Sequence, residues 1–271
     1  CTISFMELWK DYEEYIKLKL KKQSYRKTVS KFKNHIIPYF KKYKVKSINV
    51  SIYTKWQKEI EKKNYSHAYN SSLHSSMVAI LNYAKKFYGL KVNIASNVGN
   101  FAKKTELPKN VDFWTYEEFK KFINVVTEKH YKIFFETLYF TGLRQGECLA
   151  LTWKDFKDNY LDIYKTISKE QENGQYIINT PKTKNSIRKI KIDNHLINLL
   201  NELKESYKKY EGFNDDWYIF GGIKPFAPTT IGRKKDKYCA LAGVKKIRIH
   251  DFRHSHASLL LSFGVPITVI S

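Results

Sequence analysis

Thr141-Gly142-Leu143-Arg144-Gln145-Gly146-Glu147-Cys148-Leu149-Ala150-Leu151 is the stretch that decides how this 271-residue chain folds. Residues 130–140 ahead of it form an apolar helical run, and Gly142 breaks that run. A glycine just past a periodic segment supplies the left-handed turn that stops a helix. A second, short helix follows over residues 145–150, so Arg144 lies in the turn between two helices. Taken by itself, this turn is equally a plain helix stop with an arginine facing solvent.

Two other basic stretches change that reading. Thr180-Pro181-Lys182-Thr183-Lys184 stands at a strand end, and His250-Asp251-Phe252-Arg253-His254 opens a helix that runs to Phe263 and stops at Gly264. Two arginines, a lysine and a histidine brought together would hold one phosphate. Guanidinium forks bind two oxygens at once and stay charged, which suits the negative charge that grows on a phosphodiester in its transition state. A lysine on a hairpin is placed to protonate a leaving oxygen, and a histidine to donate or relay a proton. Each residue also has a plainer reading. Lys182 is one lysine among many, and His250 and Arg253, three residues apart on a helix, would equally be paired with Asp251 or Glu147.

The composition favours the phosphate. Lys and Arg number 49 against 26 Asp and Glu, a net charge of +23, more than solubility needs, so a polyanionic partner is expected. A hydrophobic fraction of 42% and an aromatic fraction of 15% exclude a disordered basic tail. Residues 1–110 hold 23 basic and 7 acidic side chains, and residues 111–271 hold 26 and 19. The first part therefore reads as a clamp on a polyanion, and the second as a folded unit with its charge focused in one site. A membrane surface is the rival partner, but the lysines are spread through helical periodicity rather than gathered into one amphipathic anchor. No run is apolar enough to span a bilayer. Cys1, Cys148 and Cys239 lack metal-ligand spacing and cannot all pair, which points to a reducing cytoplasm.

Working outward, residues 3–22 predict a helix capped by Ser4, with Phe5, Leu8, Tyr12, Tyr15, Ile16 and Leu20 as its apolar stripe. Residues 24–36 predict a second, ending before Pro38 because the residue ahead of a proline leaves the helical region. Residues 51–63 and 66–88 predict a third and a fourth, the last with Met77, Ile80, Leu81, Ala84 and Phe87 inward and Gly89 as its stop. Residues 1–101 are thus a four-helix domain, residues 102–112 a basic linker, and residues 113–271 a second domain. Thr115 and Glu118 form a capping box at its start. Residues 160–167, 175–179 and 187–192 alternate as strands, with Asn173-Gly174 as a hairpin turn, and residues 194–209 return to helix. Asp155, Asp158 and Asp162 read as loop and strand-edge solvation, with no spacing for a two-metal site. His250, His254 and His256 lack the cysteine or carboxylate that would complete a metal site.

These boxes, in this order behind a helical domain, resemble the tyrosine recombinases, the phage-integrase type of site-specific recombinase. Residues 141–151 look like that family's first-arginine box, Pro181-Lys182-Thr183-Lys184 followed by Arg188 like its catalytic-lysine hairpin, and residues 250–257 like its His-x-x-Arg box. The resemblance covers nearly the whole chain. It implies a mainly α fold: a four-helix core-DNA-binding domain, then an α+β catalytic domain with a small antiparallel sheet. It implies that Arg144 and Arg253 grip the scissile phosphate, Lys182 is the general acid, His250 assists proton transfer, and Glu147 orients the active-site arginine. The nucleophile of the family is a tyrosine that forms a 3′-phosphotyrosyl bond, so neither cofactor nor metal is required.

The sequence departs from that pattern at one point. The family carries a Gly-His segment and then the tyrosine some tens of residues past the second arginine, whereas the last tyrosine here is Tyr238. With Cys1 at one end and Ser271 at the other, the chain reads as a piece that binds DNA without cleaving it. Tyr25, Lys27, Lys31, His74, Lys85 and Lys184 are the further DNA-contact candidates. The expected setting is a homotetramer on double-stranded DNA in a bacterial cytoplasm, at the nucleoid, served by accessory bending or excision factors. The alternatives are a non-catalytic duplex-binding regulator on the same scaffold, and an RNA-binding protein that stacks bases on aromatic rings.

Overall fold

Helix boundaries in this chain are written by short polar side chains that accept the first free amide protons. Ser4 opens α1 (Phe5–Lys19) and Thr115 opens α7 (Tyr116–Asn124), each closing a capping box with the glutamate three residues on. Asn49, Ser66, Asn93 and Asp193 do the same work for α4 (Val50–Glu61), α5 (His67–Tyr88), α6 (Ile94–Val98) and α10 (Asn194–Lys208). A computed structural model describes residues 2–102, 112–172, 174–180, 187–266 and 268, without the side chains of residues 169 and 170. Lys182, Lys184, Asn173 and most of the expected linker lie outside the described residues.

The chain forms two compact units, Cys1–Lys109 and Asn110–Ser271. In the first, α1, α4 and α5 pack with α2 (Lys22–Lys31) and α3 (Ile37–Phe40) around a core of aromatic rings. Trp9 stacks on Phe32 with ring centroids 4.1 Å apart, and the Trp56 indole N–H donates to the His35 carbonyl at 3.0 Å. Two expectations are corrected here. The second helix does not end before Pro38. Residues Phe32–Ile36 widen into a π-helical turn that hands over to α3, with Pro38 in the first turn of α3, where a missing amide proton costs nothing. The apolar stripes also run past their cover: Leu20 is 37% and Phe87 51% exposed, Phe87 resting edge-on against Tyr15 instead of entering the core.

In the second unit, α7, α8 (Lys129–Thr141), α9 (Gln145–Ala150), α10, α11 (Pro228–Ala242) and α12 (Asp251–Ser262) enclose a core in which Trp114, Phe122, Phe135 and Phe252 meet. Helix α11 and the short α6 were not marked by apolar periodicity. Two small antiparallel sheets replace the single one expected. In one, β1 (Phe156–Lys157), β2 (Tyr160–Ile163) and β5 (Arg188–Lys191) lie in that order, and the other is the hairpin of β3 (Thr166–Glu172) and β4 (Gln175–Asn179). The expected strand over residues 160–167 breaks at Tyr164 and Lys165 because both are drawn off to Asp155. The Tyr164 hydroxyl donates to Oδ1 and Lys165 pairs with Oδ2, each at 2.7 Å. Asp155 is therefore not surface solvation. It is 1% exposed, and although burial pushes its carboxyl up, bonds from Lys165 and Thr152 outweigh that and hold it below the usual range.

Five histidines share one tendency. Burial holds His35, His74, His130, His250 and His256 below the ordinary imidazole pKa. The folded state therefore binds fewer protons than the unfolded chain just below the ordinary histidine value. Their neutral forms favour folding above that value, and this contribution is lost as pH falls through the depressed folded pKa values. We expect the thermal midpoint to drop as pH falls through the window just below about 6.5, the ordinary histidine value. A midpoint that stays flat over that window would remove the histidines from the account.

Candidate phosphate site

Gly142 makes the turn on which the site is built. It ends α8 with φ of 61°, a left-handed conformation that a side chain disfavours. The turn is held from two directions by α12. Arg253 Nη1 donates to the Gly142 carbonyl at 2.9 Å. His256 packs beneath, its Nδ1–H bonded to the Tyr139 carbonyl at 2.9 Å and its ring where a Gly142 Cβ would lie, Cδ2 only 2.6 Å away. Helix α12 is itself fixed by the Ser255 hydroxyl, which accepts from the Trp114 N–H at 2.9 Å.

Arg144 stands at the N-cap of α9, and Glu147 is that helix's third residue. The Glu147 carboxylate reaches back to the Arg144 amide through Oε2 at 3.0 Å and to the Arg144 guanidinium through Oε1 at 2.8 Å. Arg188, at the start of β5, donates through Nη2 to Oε2 at 2.9 Å. Glu147 is 4% exposed, whereas the Arg144 side chain is 51% exposed, so the carboxylate lies beneath and the fork faces out. Burial pushes the Glu147 carboxyl up, but bonds from Arg188 and Arg144 outweigh it and hold it below the usual carboxylate range. Burial lowers the Arg253 pKa, and repulsion from Arg144 and then Arg188 lowers it further, with Glu147 opposing. Three guanidiniums around one carboxylate leave two net positive charges, the right sign and size for a phosphate gaining negative charge.

The remaining expectations fall out unevenly. His250 sits one turn before Arg253, exposed, edge-on to His254 at 5.5 Å. Burial is the largest cause of its lowered pKa, with His254 next, so near neutral pH it carries a single exchangeable proton. The alternative pairings for His250 and Arg253 are not made: Asp251 binds the Arg248 guanidinium at 2.7 Å, and Glu147 binds Arg144 and Arg188. Lys182 and Lys184 fall outside the described residues, between β4 and β5. His256 is taken up by the turn beneath Gly142. The sequence reading gave no role to Arg188, nor to Gln145, whose buried Nε2 finds no acceptor among the described residues. Gln145 and His250 line a cleft of about 260 Å³ with Gly146, Leu149, Ile167 and Pro228. Gly146 is required there, since a Cβ would meet the Thr166 hydroxyl at 2.6 Å and the Ile167 carbonyl at 2.7 Å.

In the first unit, Lys27 and Lys85 are exposed, and Lys31 is half-buried with its pKa lowered by burial and then by Lys27. His74 and Lys85, eleven residues apart, fall on one face of α5. Tyr25 and His74 are already engaged, Tyr25 donating to Glu13 at 2.9 Å and His74 Nδ1 bonded with the Tyr53 hydroxyl at 2.8 Å. No described helix is long and apolar enough to cross a membrane.

Residues 112–271 match the phage integrase family, and residues 4–60 match the phage integrase N-terminal SAM-like domain. The chain belongs to the phage integrase family: it is a site-specific recombinase of the tyrosine type. It is 34% identical to the ICEBs1 integrase of Bacillus subtilis strain 168, over 97% of this chain and 73% of that protein. It is 28% identical to a XerC-like tyrosine recombinase of Caldanaerobacter subterraneus, over 90% and 69%. Among solved structures, the Tn1549 transposon integrase bound to circular intermediate DNA superposes with a TM-score of 0.78 at 16% identity, over 99% of this chain and 90% of that one. A lambda integrase tetramer bound to a Holliday junction superposes with a TM-score of 0.67 at 16% identity, over 95% and 73%.

Proposed function

We propose that the second unit grips the scissile phosphate of duplex DNA with Arg144 and Arg253, and that Glu147 aims Arg144 from beneath. The buried Glu147 carboxylate between two guanidiniums, with Arg253 tied to the same turn, is the observation that carries this reading. A tyrosyl oxygen attacks phosphorus as the bond to the 5′-oxygen breaks. Lys182 protonates that leaving oxygen, and His250 moves the proton taken from the tyrosine. The 3′-phosphotyrosyl bond keeps the energy of the broken ester for rejoining. Tyr238 is not that tyrosine, because it is 2% exposed and its hydroxyl donates to Glu128 at 2.7 Å.

The first unit follows the backbone with Lys27, Lys31 and Lys85, with Tyr25 and His74 beside them, and Lys184 adds a further contact. The working assembly is a homotetramer on two duplexes at the bacterial nucleoid, assisted by bending or excision factors. Arg144→Ala and Lys182→Ala in the full-length recombinase test the reading: strand exchange is lost while duplex binding persists. Unchanged exchange would leave the non-catalytic regulator as the better reading. Binding should also weaken steeply with salt, because each neutralised phosphate releases counterions. Six cations at phosphates give a log–log slope of about −5, or about a thousandfold loss between roughly 50 and 200 mM salt. A slope near zero in a fluorescence-anisotropy titration would remove the backbone contacts from the account.

A further inference from the structure

Arg188 is the guanidinium that the phosphate reading leaves without a part. It is the first residue of β5, opposite Ile163 of β2, and it follows closely on the stretch that holds Lys182. Its side chain is 27% exposed, and its Nη2 lies 2.9 Å from the Glu147 oxygen that also accepts the Arg144 amide.

The charges show what this contact does. Glu147 fixes the Arg144 fork, but a carboxylate against a guanidinium also cancels the charge that a phosphate should feel. With only Arg144 and Glu147, the exposed fork would present a nearly neutral pair. A second guanidinium on the other carboxylate oxygen answers Glu147, so that Arg144 is held in place and still acts as a cation. We infer that Arg188 is a positioning residue for phosphoryl transfer, acting through Glu147 to keep the Arg144 fork both aimed and net positive towards the phosphate. This rests on the phosphate reading given above. Because Arg188 opens β5, it also makes that strand part of the grip.

A merely structural role, pinning β5 to α9, makes a different prediction, and a neutral substrate separates the two. The recombination site is found by sequencing the element's junctions, and duplexes are made with either a normal phosphodiester or a methylphosphonate at the scissile position. The full-length recombinase is compared with Arg188→Met, which keeps the apolar stem, Arg188→Lys, which keeps the charge, and Arg144→Ala. Single-turnover cleavage by Arg188→Met should fall about 10- to 100-fold on the phosphodiester, with duplex affinity retained, and no more than about threefold on the methylphosphonate, where less charge needs an answer. Arg188→Lys should recover part of the loss. Adding Glu147→Gln to Arg188→Met should also recover part of it, since the uncompensated carboxylate is then gone. Equal losses on both substrates, or no loss on either, overturn the inference. Thermal melts accompany each variant, and if Arg188→Met does not fold, the Arg188→Lys comparison on the two substrates decides in the same way. Normal cleavage by Arg144→Ala would overturn the phosphate reading itself. Loss with Arg144→Ala but none with Arg188→Met overturns only the role of Arg188.

Discussion

Replacing Arg253 by lysine should slow DNA strand cleavage by about 10²- to 10³-fold while the affinity for intact duplex changes by no more than about threefold. The guanidinium has two tasks. One nitrogen donates to the Gly142 carbonyl at 2.9 Å, which orients the fork, and on the proposed reading the others remain for the phosphate. A lysine has a single charged nitrogen and cannot hold the carbonyl and span two phosphate oxygens together. It would also stand beside Arg144 and Arg188 in a half-buried place, where burial and both neighbours already lower the pKa of arginine. An arginine remains charged there, and an ammonium is far more readily neutralised. On the proposed reading, duplex affinity is spread over many phosphates, so losing one contact changes it little, whereas the transition state depends on this contact in particular. Single-turnover cleavage on a nicked substrate measures the effect, and a lysine variant within about twofold of the parent would show that Arg253 does not touch the reacting phosphate.

Gly142→Ala should destabilise the protein by about 2–5 kcal/mol and abolish strand exchange. Two costs add. The left-handed φ of 61° costs a residue with a Cβ about 1–2 kcal/mol. The new methyl would also fall 2.6 Å from His256 Cδ2, and that ring is tied to the Tyr139 carbonyl and has little room to retreat, an overpacking cost of about 1–3 kcal/mol. Urea melts of the variant give the sum. His256→Ala separates the parts: combined with Gly142→Ala it should relieve the steric share and leave the backbone share. A melt unchanged by Gly142→Ala would mean that the turn does not hold the two boxes together.

Much of this was legible because the signals are local. Ser4, Thr115 with Glu118, and Gly142 each declare a boundary through bonds to their own near neighbours, and the structure has them where their chemistry puts them. The first and third boxes are legible as separate motifs, and the structure brings them to one turn through the bond from Arg253 to Gly142, whereas the box around Lys182 lies outside the described residues. What stayed hidden depends on neighbours distant in sequence. Asp155 looks like a loop carboxylate until Tyr164 and Lys165 fold over it, and Arg188 looks like a strand-edge cation until Glu147, 41 residues earlier, meets it. Pro38 reads as a stop because a π-helical turn has no simple apolar period. Helix α11 was missed because its Arg233-Lys234-Lys235-Asp236-Lys237 run looks solvated, although Ile231, Lys235 and Tyr238 are buried.

The bond from Arg253 to the Gly142 carbonyl joins residues 111 apart in the chain. Contacts of such separation are slow to form, because the loop-closure entropy must be met before the contact stabilises the fold. As the polypeptide emerges from the ribosome, the residues of both sheets and of α1 to α11 are made before Arg253, so the two arginines of the proposed phosphate site are not yet together. On the proposed reading, the arginine pair can close on a phosphate only once α12 has been made.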